Sequence, residues 1–167
     1  DPGSEDQTEP AVAIDGQGNL LVAWADMRAG DQGDIYVQRY APDGAALGGN
    51  VRANDDDLQV AQLEPAVAAD AAGNFTVVWT DWRVDLWYAG DIYAQRFTAD
   101  GSPAGASFMV STLGGSIHSQ SEVIYRSDGG FTVVWNDDYS DSALAAERFT
   151  EPDIYCRHFT ADGTPLG

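Results

Sequence analysis

The stretch Asp70-Ala71-Ala72-Gly73-Asn74-Phe75-Thr76-Val77-Val78-Trp79 reads as a tight turn running into a β-strand. Phe75, Val77 and Trp79 alternate with Thr76, Val78 and Thr80, a period of two carried by aromatic and β-branched residues. Gly73 and Asn74 tolerate the positive φ of a short hairpin connection, so the apolar run at 66–69 folds back as the partner strand. Both faces of the second strand are largely apolar, which suits a sheet sandwiched between two others.

The same unit stands twice more. Upstream it is Glu9, an apolar run at 11–14, the turn Asp15-Gly16-Gln17-Gly18-Asn19 and a strand at 20–24 that ends on Trp24. Downstream it is Glu122, a run at 123–125, Asp128-Gly129-Gly130 and a strand at 131–135 that ends on Trp135. A third strand follows in each copy, at 35–40, 92–97 and 154–159, and then an Asp-Gly turn at 43, 100 and 162. Copies one and two continue into a fourth short run, at 51–53 and 108–110.

Four antiparallel strands in a repeat of about 55 residues match a propeller blade, a unit that buries its faces only against its neighbours. The expected fold is therefore all-β: tandem four-stranded meanders, β-propeller-like, with repeat 1 at 1–54, repeat 2 at 55–112 and repeat 3 at 113–167 lacking its fourth strand. A β-sandwich or a solenoid of the same meanders stays open as an alternative. An unpaired sheet edge invites another strand, and three blades are few for a ring. The chain is accordingly expected to belong to a longer array or to meet other copies of itself.

Composition narrows the partners. The chain of 167 residues carries 27 acids against 8 Arg and no Lys, a formal charge of −19. That field repels phosphate backbones and anionic lipid, which argues against nucleic acid and membrane surfaces and in favour of cations, Ca²⁺ above all. No run of about 18 apolar residues is present to suggest a membrane-spanning helix. One cysteine, Cys156, excludes an internal disulfide and stands where the other copies have Val37 and Ala94, so it reads as a small core residue.

Two acids recur in every copy around the connection between the second and third strands. Asp26, Asp81 and Asp137 lie two residues after each Trp, and Asp34, Asp91 and Asp153 precede each Ile-Tyr. Paired carboxylates with loop carbonyls suit Ca²⁺, although the dense spacing of a calcium loop is missing. Arg28 and Arg83 stand two residues after the first acid, and the competing reading is that the acids tie down the loop by ion pairs. Trp82, Trp87 and Tyr88 cluster in the second connection and offer flat faces for a sugar ring or a protein partner. Arg39 and Arg96, replaced by His158 in copy three, are expected to pair with a repeated acid such as Glu9, Glu64 or Glu122. His118 stands alone among Gly and Ser and reads as a loop residue. Trp24, Trp79 and Trp135 read as core.

The string Asp-x-x-Gly-Asn-Phe-x-Val-Val-Trp, then Asp-Ile-Tyr-Ala-Gln-Arg-Phe and Asp-Gly-x-Pro, resembles the propeller-like repeats of large bacterial secreted and cell-surface proteins. The hairpin also looks loosely like the Asp-box of sialidase-type propellers. It departs from that motif in spacing, because Trp24 and Trp79 lie nine residues after Asp15 and Asp70 and Trp135 lies seven after Asp128. No catalytic residue is carried over. The resemblance implies an extracellular or cell-surface bacterial setting. With no Gly-x-Ser-x-Gly elbow and no nucleophile beside either His, the chain is expected to be a non-catalytic structural or adhesive segment and not an enzyme. The alternatives are a lectin-like carbohydrate-binding module resting on Trp82, Trp87 and Tyr88, or a sialidase-type glycoside hydrolase.

Overall fold

A computed structural model describes residues 5–28, 32–85, 89–112, 117–138 and 153–167. It contains three antiparallel sheets laid side by side. The first is β1 (Gln7–Ile14), β2 (Leu20–Asp26), β3 (Asp34–Tyr40) and β4 (Val51–Arg52), paired in that order. The second repeats it with β5 (Gln62–Ala69), β6 (Phe75–Asp85), β7 (Ala89–Phe97) and β8 (Phe108–Met109). The third pairs β9 (Ile117–Tyr125), β10 (Phe131–Asp138) and β11 (Asp153–Phe159). The first strands lie innermost, β1 beside β5 and β5 beside β9. This is the arrangement of successive blades in a partial β-propeller.

The core is two seams between blades. At the first seam, Leu21, Ala23, Ala25, Ile35, Val37 and Ala53 of blade one meet Val67, Phe75, Val77, Trp79, Tyr93 and Phe97 of blade two. At the second, Ala66, Val78, Ile92, Ala94 and Val110 of blade two meet Val123, Phe131, Val133, Trp135 and Phe159 of blade three. Each blade therefore has a face of mostly small residues turned to the next blade and an aromatic face turned to the previous one. The period-two alternation of β6 serves both faces at once. Paired rings reinforce the aromatic faces: Phe75 on Phe97 at 4.7 Å and Phe131 on Phe159 at 4.9 Å.

Hairpin turns also touch across the first seam. The Asp15 carboxylate accepts from the backbone N–H groups of Gln17 and Asn19 and from the Asn19 amide, and Asp70 repeats this with Ala72 and Asn74. A Cβ on Gly16 would lie 2.5 Å from the Ala71 carbonyl oxygen, so only glycine allows the two turns to approach this closely.

Several expectations are corrected here. Cys156 is exposed, because it lies on the forward face of the third sheet, which no described residue covers. Trp79 and Trp135 are core residues, whereas Trp24 is only half-buried on the rear face of blade one, which no other described blade covers. The first strands begin before the apolar runs, at Gln7, Gln62 and Ile117, because a bulge admits Glu9-Pro10 and Glu64-Pro65 without losing register. Arg39 does not reach a Glu. It donates to the backbone carbonyls of Ala99 and Asp100 in the next blade's turn, and Arg96 donates to Ala161 at 2.9 Å in the same manner. His158 instead shares a 2.8 Å hydrogen bond with Thr132 inside its own sheet.

The third copy is also shifted by two residues from its sequence reading. Tyr125 pairs with Phe131 as Ala69 pairs with Phe75, which sets Arg126, not Asp128, in the place of Asp70. Arg126 then ties the turn by donating to the carbonyls of Phe131 and Phe159.

Candidate functional site at the axial pole

One end of the array gathers the acids. Register places Gln7 opposite Asp26, Gln62 opposite Asp81 and His118 opposite Asp137, so the starts of the innermost strands and the connections after the second strands share this pole. Each acid pair named from sequence is directly cross-strand: Asp26 with Asp34, Asp81 with Asp91, and Asp137 with Asp153. Protein donors fill most of these carboxylates. Asp26 accepts from the Trp24 indole at 2.8 Å and from Arg28 at 2.5 Å. Burial opposes its charge, but Arg28 and the Trp24 N–H outweigh that and hold its pKa down at about 2. Asp81 accepts from Trp79 at 2.8 Å and from the Arg83 guanidinium at 2.7 and 3.0 Å. Arg28 and Arg83 lie over the Tyr36 and Tyr93 rings, 4.3 and 4.1 Å from the centroids.

The second acid of each pair is clipped by a side chain that sequence reading missed. Asn54 donates to Asp34 at 2.7 Å while accepting from the Ile35 N–H. Ser111 does the same for Asp91 and Ile92. Both stand 19 residues beyond the N–H they accept from, a spacing that comparing the first two repeats reveals. Asp153 is exposed. Among the described residues no group of three or more His, Cys, Asp or Glu is arranged to hold a metal ion.

His118 is a correction. It is buried in β9 between two blades, with Nδ1 3.2 Å from Asp91 and Nε2 3.4 Å from Asp137. Burial pulls its pKa down, but the two carboxylates win and raise it above the usual histidine value. Trp82 is half-buried against Gly90, where a Cβ would meet its ring at 3.3 Å. Trp87 and Tyr88 lie outside the described residues.

Nearest the axis, three residues share one unusual conformation. Glu9, Glu64 and Gln120 have φ of 56°, 55° and 51°, the only non-glycine positive values among the described residues. They occupy the bulge of β1, β5 and β9 in turn. The Glu64 N–H donates to Glu9 Oε2 at 2.6 Å, and the Gln120 N–H donates to Glu64 Oε2 at 3.0 Å. Each blade's side chain thus holds the strained backbone of the next. Thr80 adds a 3.0 Å bond to Glu64, and Asn136 donates to Gln120 at 2.7 Å. Glu122, the third acid expected from sequence, lies two residues past this position. Counting fifteen residues back from each Trp finds all three members.

No protein-family model matches the chain, and no curated protein matches it. Solved structures do. Hadza microbial sialidase is 15% identical with a TM-score of 0.68, over 95% of this chain and 36% of that one. An endo-1,4-beta-xylanase from Bacteroides thetaiotaomicron is 13% identical with a TM-score of 0.58, over 99% of this chain and 60% of that one. An alpha-L-arabinofuranosidase from Lactobacillus brevis is 16% identical with a TM-score of 0.59, over 98% and 56%. The chain thus spans between about a third and three fifths of these proteins. Among the described residues no helix is long and apolar enough to cross a membrane. The expectation of a non-catalytic structural or adhesive segment, and of no enzyme, is overturned by these neighbours: the blades are shared with proteins that carry glycosidase names, and the chain has the fold of a partial β-propeller.

Proposed function

We propose that this chain contributes three blades of a carbohydrate-active propeller that hydrolyses glycosidic bonds at its axial pole. The observation that carries the reading is the file Glu9, Glu64 and Gln120, strained in register on successive innermost strands. Strained non-glycine backbone persists only where its surroundings over-determine it, and it clusters at functional sites. Two members are carboxylic acids on adjacent strands of the pole, and glycoside hydrolysis needs two such groups on either side of the scissile bond.

In this reading one acid gives its proton to the leaving glycosidic oxygen. The other attacks the anomeric carbon or takes a proton from water. Glu64, which accepts from Thr80 and Gln120 at one oxygen, is oriented for the second role, and the exposed Glu9 for the first. Gln120 cannot exchange a proton and serves to position. Trp82, which the structure places in β6 just past Asp81 at the same pole, is the candidate platform for a sugar ring. The setting we propose is outside a bacterial cell.

The test is hydrolysis of nitrophenyl α-L-arabinofuranoside, β-xyloside and sialoside by the purified protein and its Glu64→Gln variant. Turnover of at least one substrate, reduced about a hundredfold or more by Glu64→Gln with the melting curve preserved, is expected. No turnover of any of them together with no binding of arabino-, xylo- or sialo-oligosaccharides would overturn the proposal.

A further inference from the structure

At the pole opposite the strained file, the seam between blades two and three closes differently from the first. In the first seam the hairpin turns touch: the Gln17 amide donates to the Ala72 carbonyl at 3.1 Å, and a Cβ on Gly73 would lie 3.3 Å from the Asp15 carboxylate. In the second seam the described turns share no such bond, and a Cβ on Gly129 would have only Ala161 of its own blade within 4 Å. Two residues account for the gap. Tyr125 stands where blades one and two have Ile14 and Ala69, and its hydroxyl shares a 2.8 Å hydrogen bond with Thr76 of blade two. Ala104 stands where blade one has the larger Leu47, each donating its N–H to the carbonyl of the Arg that crosses the seam. A cleft of about 220 Å³ opens between the blades, against about 90 Å³ beside Arg39 at the first seam.

Two side chains of opposite charge, Asp70 and Arg96, line this cleft with Tyr125. The phenol feels both: burial dominates the rise of its pKa, Asp70 adds to it and Arg96 opposes it. Each of the three has hydrogen-bonding capacity left over. Arg96 uses one N–H on the Ala161 carbonyl and one on Ala104, of the five that a guanidinium carries. Asp70 accepts two backbone N–H groups at Oδ1 and the Asn74 amide at Oδ2, which leaves a lone pair on Oδ2. The Tyr125 oxygen keeps a lone pair beyond its Thr76 bond. A hydroxyl both accepts and donates, so neighbouring hydroxyls of a sugar ring can take an N–H from Arg96 and donate to Asp70 together. An anion would meet Asp70 and a cation would meet Arg96. The volume falls below the roughly 300–1,000 Å³ of pockets for drug-sized ligands, which limits the occupant to about one ring. We propose that this cleft binds one neutral sugar ring, at a site separate from the axial pole. It uses neither Glu9 nor Glu64, so its occupancy does not depend on the proposed hydrolysis.

Backbone-amide NMR of the Glu64→Gln protein, titrated with L-arabinose, D-xylose and D-galactose and with glucuronate as the charged comparison, tests this. At least one neutral sugar should shift the Gly129 and Ala161 amides with a dissociation constant of about 1–10 mM, the range for a small ligand held by a few hydrogen bonds. Ala104→Leu, which installs the blade-one residue, and Tyr125→Phe should each weaken that binding about tenfold or more with the melting curve preserved. No shift at these amides with any neutral sugar at about 50 mM, tighter binding of glucuronate, or shifts unchanged by both substitutions would overturn the proposal. Shifts confined to Thr80 and Gln120 would overturn it too, while leaving the axial site standing.

Discussion

Replacing Asp81 by Ala should be among the most damaging single changes in the molecule. The carboxylate is fully buried and accepts four bonds: from the Trp79 indole, from the Arg83 backbone N–H at 2.8 Å, and twice from the Arg83 guanidinium. Without it the indole N–H of a fully buried Trp is orphaned, at a cost of about 1–3 kcal/mol. Breaking a buried ion pair costs about 3–5 kcal/mol, but Arg83 keeps Asp56 at 2.8 Å and the Tyr93 ring, so the lower end applies. The loss should be about 4 kcal/mol, a large part of the roughly 5–15 kcal/mol that holds an ordinary domain. Asp26→Ala removes the same donors' acceptor in blade one, where Trp24 is half-buried and Arg28 more exposed than Arg83. Water can replace the lost partner there, and about 1–2 kcal/mol is expected. Urea unfolding followed by Trp fluorescence reads both. At a slope of about 2 kcal/mol/M, Asp81→Ala should move the midpoint down by about 2 M and Asp26→Ala by less than half of that. A shift below about 0.5 M for Asp81→Ala, or an equal shift for both variants, would refute the claim that these acids act as buried anchors whose worth is set by seam position.

His118 gives a signed pH dependence. Its folded pKa is raised, so its contribution is full below the unfolded value of about 6.5 and is lost as pH rises through the folded value. The stability difference between the unaltered protein and His118→Gln should therefore shrink as pH rises above about 6.5, measured by urea midpoints; a difference that grows with rising pH there would contradict the Asp91–His118–Asp137 bridge. Gly16→Ala should destabilise by about 1–3 kcal/mol through collision with the Ala71 carbonyl, read from the thermal midpoint, and an unchanged midpoint would show that the turns do not touch. Because Trp, Arg, Asn and Ser donors occupy the acids of the first two blades, chelation with EDTA should leave the melting temperature unchanged. A drop of several degrees would return Ca²⁺ to the acid pairs.

Strand identity was legible because aromatic and β-branched residues alternate with period two on both faces of the middle strand, a pattern that only a sheet between sheets requires. Blade order followed from the repeat. The pole was only partly legible. Asp26, Asp81, Asp34 and Asp91 stand out as repeated acids, but their partners Asn54 and Ser111 arrive from the far end of each repeat and differ in residue type. His118 looked solitary because both of its carboxylates are distant in sequence, one of them in the preceding blade. The third turn misled for a physical reason: Arg126 grips carbonyls where Asp70 grips N–H groups, and the eye aligns Asp128 instead. That shift of two residues also put Glu122 in the place of Gln120. A backbone with positive φ at Glu9 and Glu64 has no composition signature at all, since nothing about a Glu-Pro pair announces a left-handed bulge.

The proposed hydrolysis makes the axial file of Glu9, Glu64 and Gln120 the working part of the pole. The most direct measurement is the ratio of glycoside hydrolysis rates for Glu64→Gln and for Asp128→Asn, an exposed acid of the hairpin turn at the opposite end of the sheet. A loss of about a hundredfold or more is expected for the first and no change for the second, with both proteins folded. Equal rates for the two variants, or a larger loss at Asp128, would contradict it.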